Sequence, residues 1–184
     1  MTKLDAINRM LRSIQALELS TLEDENLTYE QQVAIDIFDQ TNTFIQGLGW
    51  WFNTFILKLS PDVNHNIVIP ENFIFVEPTD PTKDYVVLNN KLYDKNKNTY
   101  QFTDDVELEV ITLQPFEDLP YQMQEYITLK ATLDFQSTIM GGVTDNALMV
   151  RLQEAYTAVL RQQNKAADHN VLRNPQIAYA LRRW

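Results

Sequence analysis

The chain has 184 residues, 45% of them hydrophobic, which is enough to bury one core, or one core with a small inserted module. Its 15 basic and 25 acidic residues leave a net charge of −10, which argues against tight binding of naked nucleic acid, because that binding needs Lys and Arg to replace phosphate counterions. The absence of cysteine removes disulfide scaffolds, zinc–thiolate sites and cysteine nucleophiles, and His65 and His169 are too few and too far apart in sequence for a histidine-rich metal centre.

The N-terminal segment carries no continuous apolar run, so no signal peptide is expected. Thr2–Leu17 reads as a helix. Thr2 is the cap, Asp5 suits the first turn, and Leu4, Ile7, Leu11 and Ile14 make one apolar stripe. Glu18–Leu27 is an acidic loop. Thr28 opens a second helix with Gln31 completing a capping box. Val33, Ile37, Thr41, Phe44 and Leu48 form its expected buried stripe, and Gly47 and Gly49 end it.

From Trp50 the pattern changes to strands. Trp50–Leu59 is aromatic, β-branched and alternating, and it is too short and too broken by Asn53, Thr54 and Lys58 to span a bilayer. Short strands are expected at Ile67–Ile69, Phe73–Glu77, Tyr85–Leu88, Lys91–Tyr93, Tyr100–Phe102 and Val106–Leu113. Asn89-Asn90 is a two-residue hairpin signal, because Asn tolerates positive φ. Helix returns after Pro115–Pro120, with Asp118 as the expected cap and Pro120 in the first turn. Met123, Tyr126, Ile127, Leu129, Leu133, Phe135 and Ile139 surround most of that helix, so it is buried on more than one side. Gly141-Gly142 stops it. Thr144 caps a fourth helix with Leu148, Leu152, Tyr156 and Val159 inward, fading near Ala166.

The expected fold class is therefore α+β: a four-helix bundle with an inserted small antiparallel β module and an extended C-terminal tail. The bundle is discontinuous, residues 1–49 and 116–167. The β module is 50–115, and the C-terminal docking tail is 168–184.

Catalytic motifs are few. Gly47-Leu48-Gly49 is half a dinucleotide fingerprint, but it follows a helix instead of a strand. Glu107 and Glu109 share a strand face that reads as solvated, and Glu117-Asp118 reads as linker and cap. No cofactor, metal site or catalytic residue is assigned.

Charge distribution says more. Residues 161–184 carry five basic residues and one acid, leaving −14 on residues 1–160. The basic end also carries Val171, Leu172, Ile177, Tyr179, Leu181 and Trp184 beside Arg173, Arg182 and Arg183, and that apolar content is costly to leave in water. It either folds back on its own helices or docks on a partner with Trp184 and the arginine pair as anchors. Trp50, Trp51 and Phe52 alternate faces on the expected strand, so burying all three requires either core packing or a further contact, such as another subunit.

These pieces together resemble the tail tubular protein A family, the head–tail adaptors of short-tailed, T7-like bacteriophages. The resemblance runs over roughly residues 4–160. It is carried by Asn8, Leu11, Ser13 and Ile14, then Ser20-Thr21-Leu22-Glu23, Gln46, Gly49-Trp50-Trp51-Phe52-Asn53 and Leu59-Ser60-Pro61-Asp62. Ile67–Pro70, Leu92-Tyr93-Asp94, Asp118-Leu119-Pro120, Tyr126-Ile127, Lys130-Ala131 and Phe135 continue it. The family's glycine and proline after the first helix are here replaced within Gln15–Leu19, and its arginine/glycine turn before Leu-Tyr-Asp is here Asn89-Asn90-Lys91.

The resemblance implies a homo-oligomeric ring of twelve between the portal protein and the tail nozzle protein, with a tail fibre attachment region. DNA passes through its channel without specific binding, and no membrane is involved. It places the protein in the virion, in the phage tail at the head–tail junction, after synthesis in the host cytoplasm. Trp50, Trp51 and Phe52 become candidate subunit or nozzle contacts. The tail beyond Ala166 matches no family motif, and its basic and aromatic residues by themselves suggest a portal hook. The rival readings are a head-completion protein of a longer-tailed phage, a tail-associated glycan hydrolase with two carboxylates in one cleft, and a cytosolic binding module unrelated to virions.

Overall fold

A computed structural model describes residues 1–24, 26–142 and 145–173, the last six as backbone alone. Among these residues the protein is α+β. Helices α1 (Lys3–Ser13) and α2 (Tyr29–Gly47) precede strands β1 (Thr54–Leu59), β2 (Phe73–Pro78), β3 (Tyr85–Leu88), β4 (Lys91–Asp94) and β5 (Val106–Thr112), and helices α3 (Tyr121–Met140) and α4 (Asn146–Arg173) follow. The chain divides into two compact units. One is Met1–Ile45 with the chain from Pro115 onward, and the other is Gln46–Gln114.

In the helical unit, α1 begins at a reciprocal capping box. The Asp5 N–H donates to Thr2 Oγ1 at 3.1 Å, and the Thr2 N–H donates to Asp5 Oδ2 at 3.0 Å. The helix ends at Ser13, four residues before the expected Leu17. Gln15 takes φ 59°, its N–H bonds to Arg12 C=O, and the Ala16 N–H reaches back to Leu11 C=O. That is a Schellman stop, which usually uses glycine at the left-handed position. Ala6, Ile7, Met10 and Leu11 are buried.

Helix α2 opens as expected, with Thr28 and Gln31 bonded reciprocally at 2.9 and 3.3 Å. Its buried stripe differs from expectation. Ala34, Phe38, Thr41 and Ile45 face inward, whereas Val33 and Ile37 are half-buried and Phe44 is 67% exposed. Both faces of this helix are apolar, so periodicity alone does not select between them. Phe38 meets Phe116 edge-to-face with centroids 5.0 Å apart.

Ahead of α3, Phe116–Asp118 forms a 3-10 turn, and Pro120 stands at the cap position with no side-chain cap bond. Asp118 therefore does not cap α3. The helix is buried on most of its circumference, as expected, and it packs against both α1 and α4. Its buried Thr128 and Thr132 hydroxyls donate to the carbonyls one turn earlier, at 2.7 Å each. Gly141 ends the helix in the left-handed conformation, φ 71°.

Asp145 caps α4. Its Oδ1 accepts the Ala147 N–H at 2.8 Å, the role expected of Thr144, which lies outside the described residues. The inward stripe holds, with Leu148 and Val159 buried and Leu152 and Tyr156 half-buried. The helix does not fade at Ala166 but continues to Arg173, so the first part of the expected tail is helical backbone.

In the other unit, β5 is the centre of a three-stranded antiparallel sheet in the order β1-β5-β2, and β3-β4 is a separate hairpin. Asn89 and Asn90 both take positive φ, 53° and 56°, which is the turn their sequence calls for. Ile67, Ile69, Leu92, Phe102, Leu108 and Val110 form the core. The expected strand at Ile67–Ile69 makes only an isolated bridge, Val68 opposite Lys91. The expected strand from Trp50 begins only at Thr54, because residues 51–53 form a turn.

Candidate functional site

Four of the motif residues are backbone clasps. Asn8 holds both backbone groups of Leu19: its Oδ1 accepts the Leu19 N–H at 2.8 Å, and its amide donates to the Leu19 carbonyl at 2.9 Å. Gln46 does the same for Gln114, at 2.8 and 3.0 Å. Buried Asn53 accepts the Trp50 N–H at 2.9 Å and donates to the carbonyls of Gln46 and Thr112 at 3.0 and 3.1 Å. Asp62 Oδ1 accepts the N–H groups of Asn64 and Asn66 at 2.8 and 2.9 Å. These backbone bonds, the Asn66 N–H first, hold the Asp62 carboxyl below its ordinary pKa. His65 sits exposed in that same turn at φ 62°. The side chains of Asn8, Gln46 and Asn53 thus satisfy backbone groups in loops and turns, which is a structural duty.

Gly49 has a steric duty beside Asn53. It takes φ 76°, and a Cβ there would meet Ile111 Cδ1 at 2.9 Å. The Gly-Trp-Trp-Phe-Asn element is thus a tight turn seated on the sheet.

That turn corrects the alternation expected for the candidate contacts Trp50, Trp51 and Phe52. Trp50 is buried, and Trp51 and Phe52 are half-buried with their rings edge-to-face at 5.2 Å. Of the candidate docking residues, Leu172 and Arg173 lie on the backbone of α4. Ile177, Tyr179, Leu181, Arg182, Arg183 and Trp184 lie outside the described residues.

Two of the exposed apolar surfaces on the described residues bear on the site. On α2, Phe44 stands out beside half-buried Val33 and Ile37. On the sheet, Ile56 is 65% and Phe75 43% exposed, in a face that also carries Glu77 and Glu109. Glu107 and Glu109 are both exposed, as the alternating strand implies.

Sequence reasoning missed a cleft of about 360 Å³ in the helical unit, lined by α1, α3 and the start of α4. Arg9, Arg12, Thr132, Gln136, Asp145 and Arg151 are among its walls. Arg9 is held by Glu125 through two bonds of 2.8 Å, which raise its pKa above the ordinary arginine value. Arg12 pairs with Glu18 at 2.8 Å, and Arg151 has no acidic partner among the described residues. The spacing of Arg9 and Arg12 on one helix face was a signal, but Arg151 comes from a helix more than a hundred residues away.

Among the described residues no group of three His, Cys, Asp or Glu could hold a metal ion, and no helix is long and apolar enough to cross a membrane. No curated protein matches the chain. A family model does, that of the tail tubular protein, over residues 4–169, which takes in both units and the clasps that shape them. The chain belongs to the tail tubular protein family and is a structural component of a bacteriophage tail.

Proposed function

We propose that this protein is the head–tail adaptor of a short-tailed, T7-like phage, twelve copies forming a ring between the portal and the tail nozzle. The observation that carries this reading is the family match along residues 4–169. The exposed Phe44 on α2 and the exposed Ile56 and Phe75 on the sheet support it, since a ring buries such surfaces against neighbouring chains.

In this reading the four helices form one bundle that builds the ring and meets the portal, and the β unit serves the nozzle or the fibres. The protein acts without turnover or cofactor. The excess of acid on residues 1–160 faces the channel and repels phosphate, so DNA slides through without being gripped. The basic end of the chain hooks onto the portal. Cryo-electron microscopy of intact virions, focused on the portal vertex, tests the assignment. Twelve copies beneath the portal are expected, and density for this chain elsewhere in the tail would overturn it.

A further inference from the structure

The arginine cleft and the loop between α1 and α2 carry complementary charges that the described chain leaves unmatched. In the cleft, Arg151 is exposed and has no acidic partner among the described residues, and Arg9 and Arg12 retain N–H donors beyond those given to Glu125 and Glu18. Ser13, Thr132 and Gln136 add neutral polar groups to the same walls, and Asp145, whose Oδ1 already accepts the Ala147 N–H at the start of α4, is the one acid among the described residues lining it against three arginines. The loop reads Glu18-Leu19-Ser20-Thr21-Leu22-Glu23-Asp24-Glu25-Asn26-Leu27, with four acids and no base. Glu23 and Asp24 are exposed and lack a basic partner among the described residues. None of residues 18–24 lines the cleft of its own chain.

We infer that this cleft receives the Glu23–Asp24 segment of a second copy of the same chain, which rests on the reading of the protein as a ring. One guanidinium without an acidic partner among the described residues, beside two partly committed ones, suits a short loop bearing the carboxylates of Glu23 and Asp24. It does not suit a nucleic-acid backbone, which needs a row of unpaired basic side chains. Cleft and loop are different surfaces, so a pair of copies joined this way still offers one of each. Such a head-to-tail contact propagates, and it closes into a ring when its rotation allows. Arginine forks bind carboxylates bidentately, which fixes the register between neighbours as well as attracting them.

The absence of cysteine makes the test direct. Full-length R151C and D24C single variants are mixed, assembled with the portal and treated with a short bis-maleimide, because an Arg–Asp pair holds its Cα atoms farther apart than a disulfide spans. Cross-linked dimers from the mixture, and a ladder of multimers from the double variant, are expected. Rings that form without any cross-chain link, or a double variant linked only within its own chain, overturn the contact and leave the ring standing. Failure of the unmodified chain to form any multimer on the portal overturns the ring reading and this contact with it. As an independent readout, R151E is expected to weaken self-association about tenfold at low salt, with R151E/D24R recovering it. R151E without effect on a protein that does form rings counts against the proposal. Arg151 is exposed and outside the core, so R151E is expected to fold.

Discussion

Asn8, Asn53 and Asp62 each spend a short polar side chain on backbone groups that no helix or strand satisfies. Asn53 is the costliest to lose, because it is fully buried and holds one N–H and two carbonyls. Asn53→Ala is expected to destabilise the protein by about 3 kcal/mol, read by urea unfolding. Gln15 is the opposite case, a non-glycine residue at φ 59° in a helix stop. Gln15→Gly relieves the left-handed strain and is expected to raise stability by about 1 kcal/mol, visible as a higher Tm. Asp5 sets a pH dependence. The backbone hydrogen bond from Thr2, then its side-chain bond, holds the Asp5 carboxyl below its ordinary value. A depressed folded pKa means the capping contribution is full above the unfolded value, near about 4, and is lost as pH falls through the folded value. Unfolding curves below about pH 4 should therefore be less steep in pH for Asp5→Asn than for the unmodified chain.

At the scale of elements, α2 separates two roles. Phe38 is fully buried against Phe116, while Phe44, six residues on, is 67% exposed. Phe38→Ala is expected to cost about 3–5 kcal/mol by leaving a cavity. Phe44→Ser is expected to shift stability by no more than about 0.5 kcal/mol. If the outer face of α2 is buried in the assembly, Phe44→Ser instead lowers the yield of assembled rings, measured by electron microscopy of portal complexes. Rings at full yield would remove α2 from the subunit contact. The hairpin β3-β4 was legible to within one residue at its far end, because Asn89-Asn90 names its own turn type. The turn at Trp50–Asn53 was not legible: its own bonds are local, but Asn53 also anchors it to the Thr112 carbonyl, 59 positions away.

For the whole molecule, the division of charge matters most, with −14 on residues 1–160 and +4 on residues 161–184. Residues 174–184 lie beyond the last described element, which ends at Arg173. The truncated chain is expected to unfold as the full chain does by circular dichroism, and to lose binding to the portal in a pull-down. A folded truncate that still binds would sink the portal-hook role. The extension of α4 to Arg173 gives that end of the chain a helical base where the sequence suggested fading near Ala166.

By itself the sequence determined what depends on neighbours within a few positions. The Thr2 and Thr28 capping boxes, the left-handed Asn89-Asn90, the stop at Gly141 and the alternation of Val106–Val110 all belong here. Each rests on local sterics or on a period that one segment carries alone. It also carried the family, because the clasp residues and their spacing are sequence features even where their partners are distant. Tertiary structure decided the rest. Which apolar face of α2 is buried depends on where Phe116 lies, and the start of β1 depends on what Asn53 finds across the sheet. The arginine cleft needs α1, α3 and α4 together. These are long-range choices among locally equal alternatives, and packing settles them because only one face or one partner removes water from the larger surface.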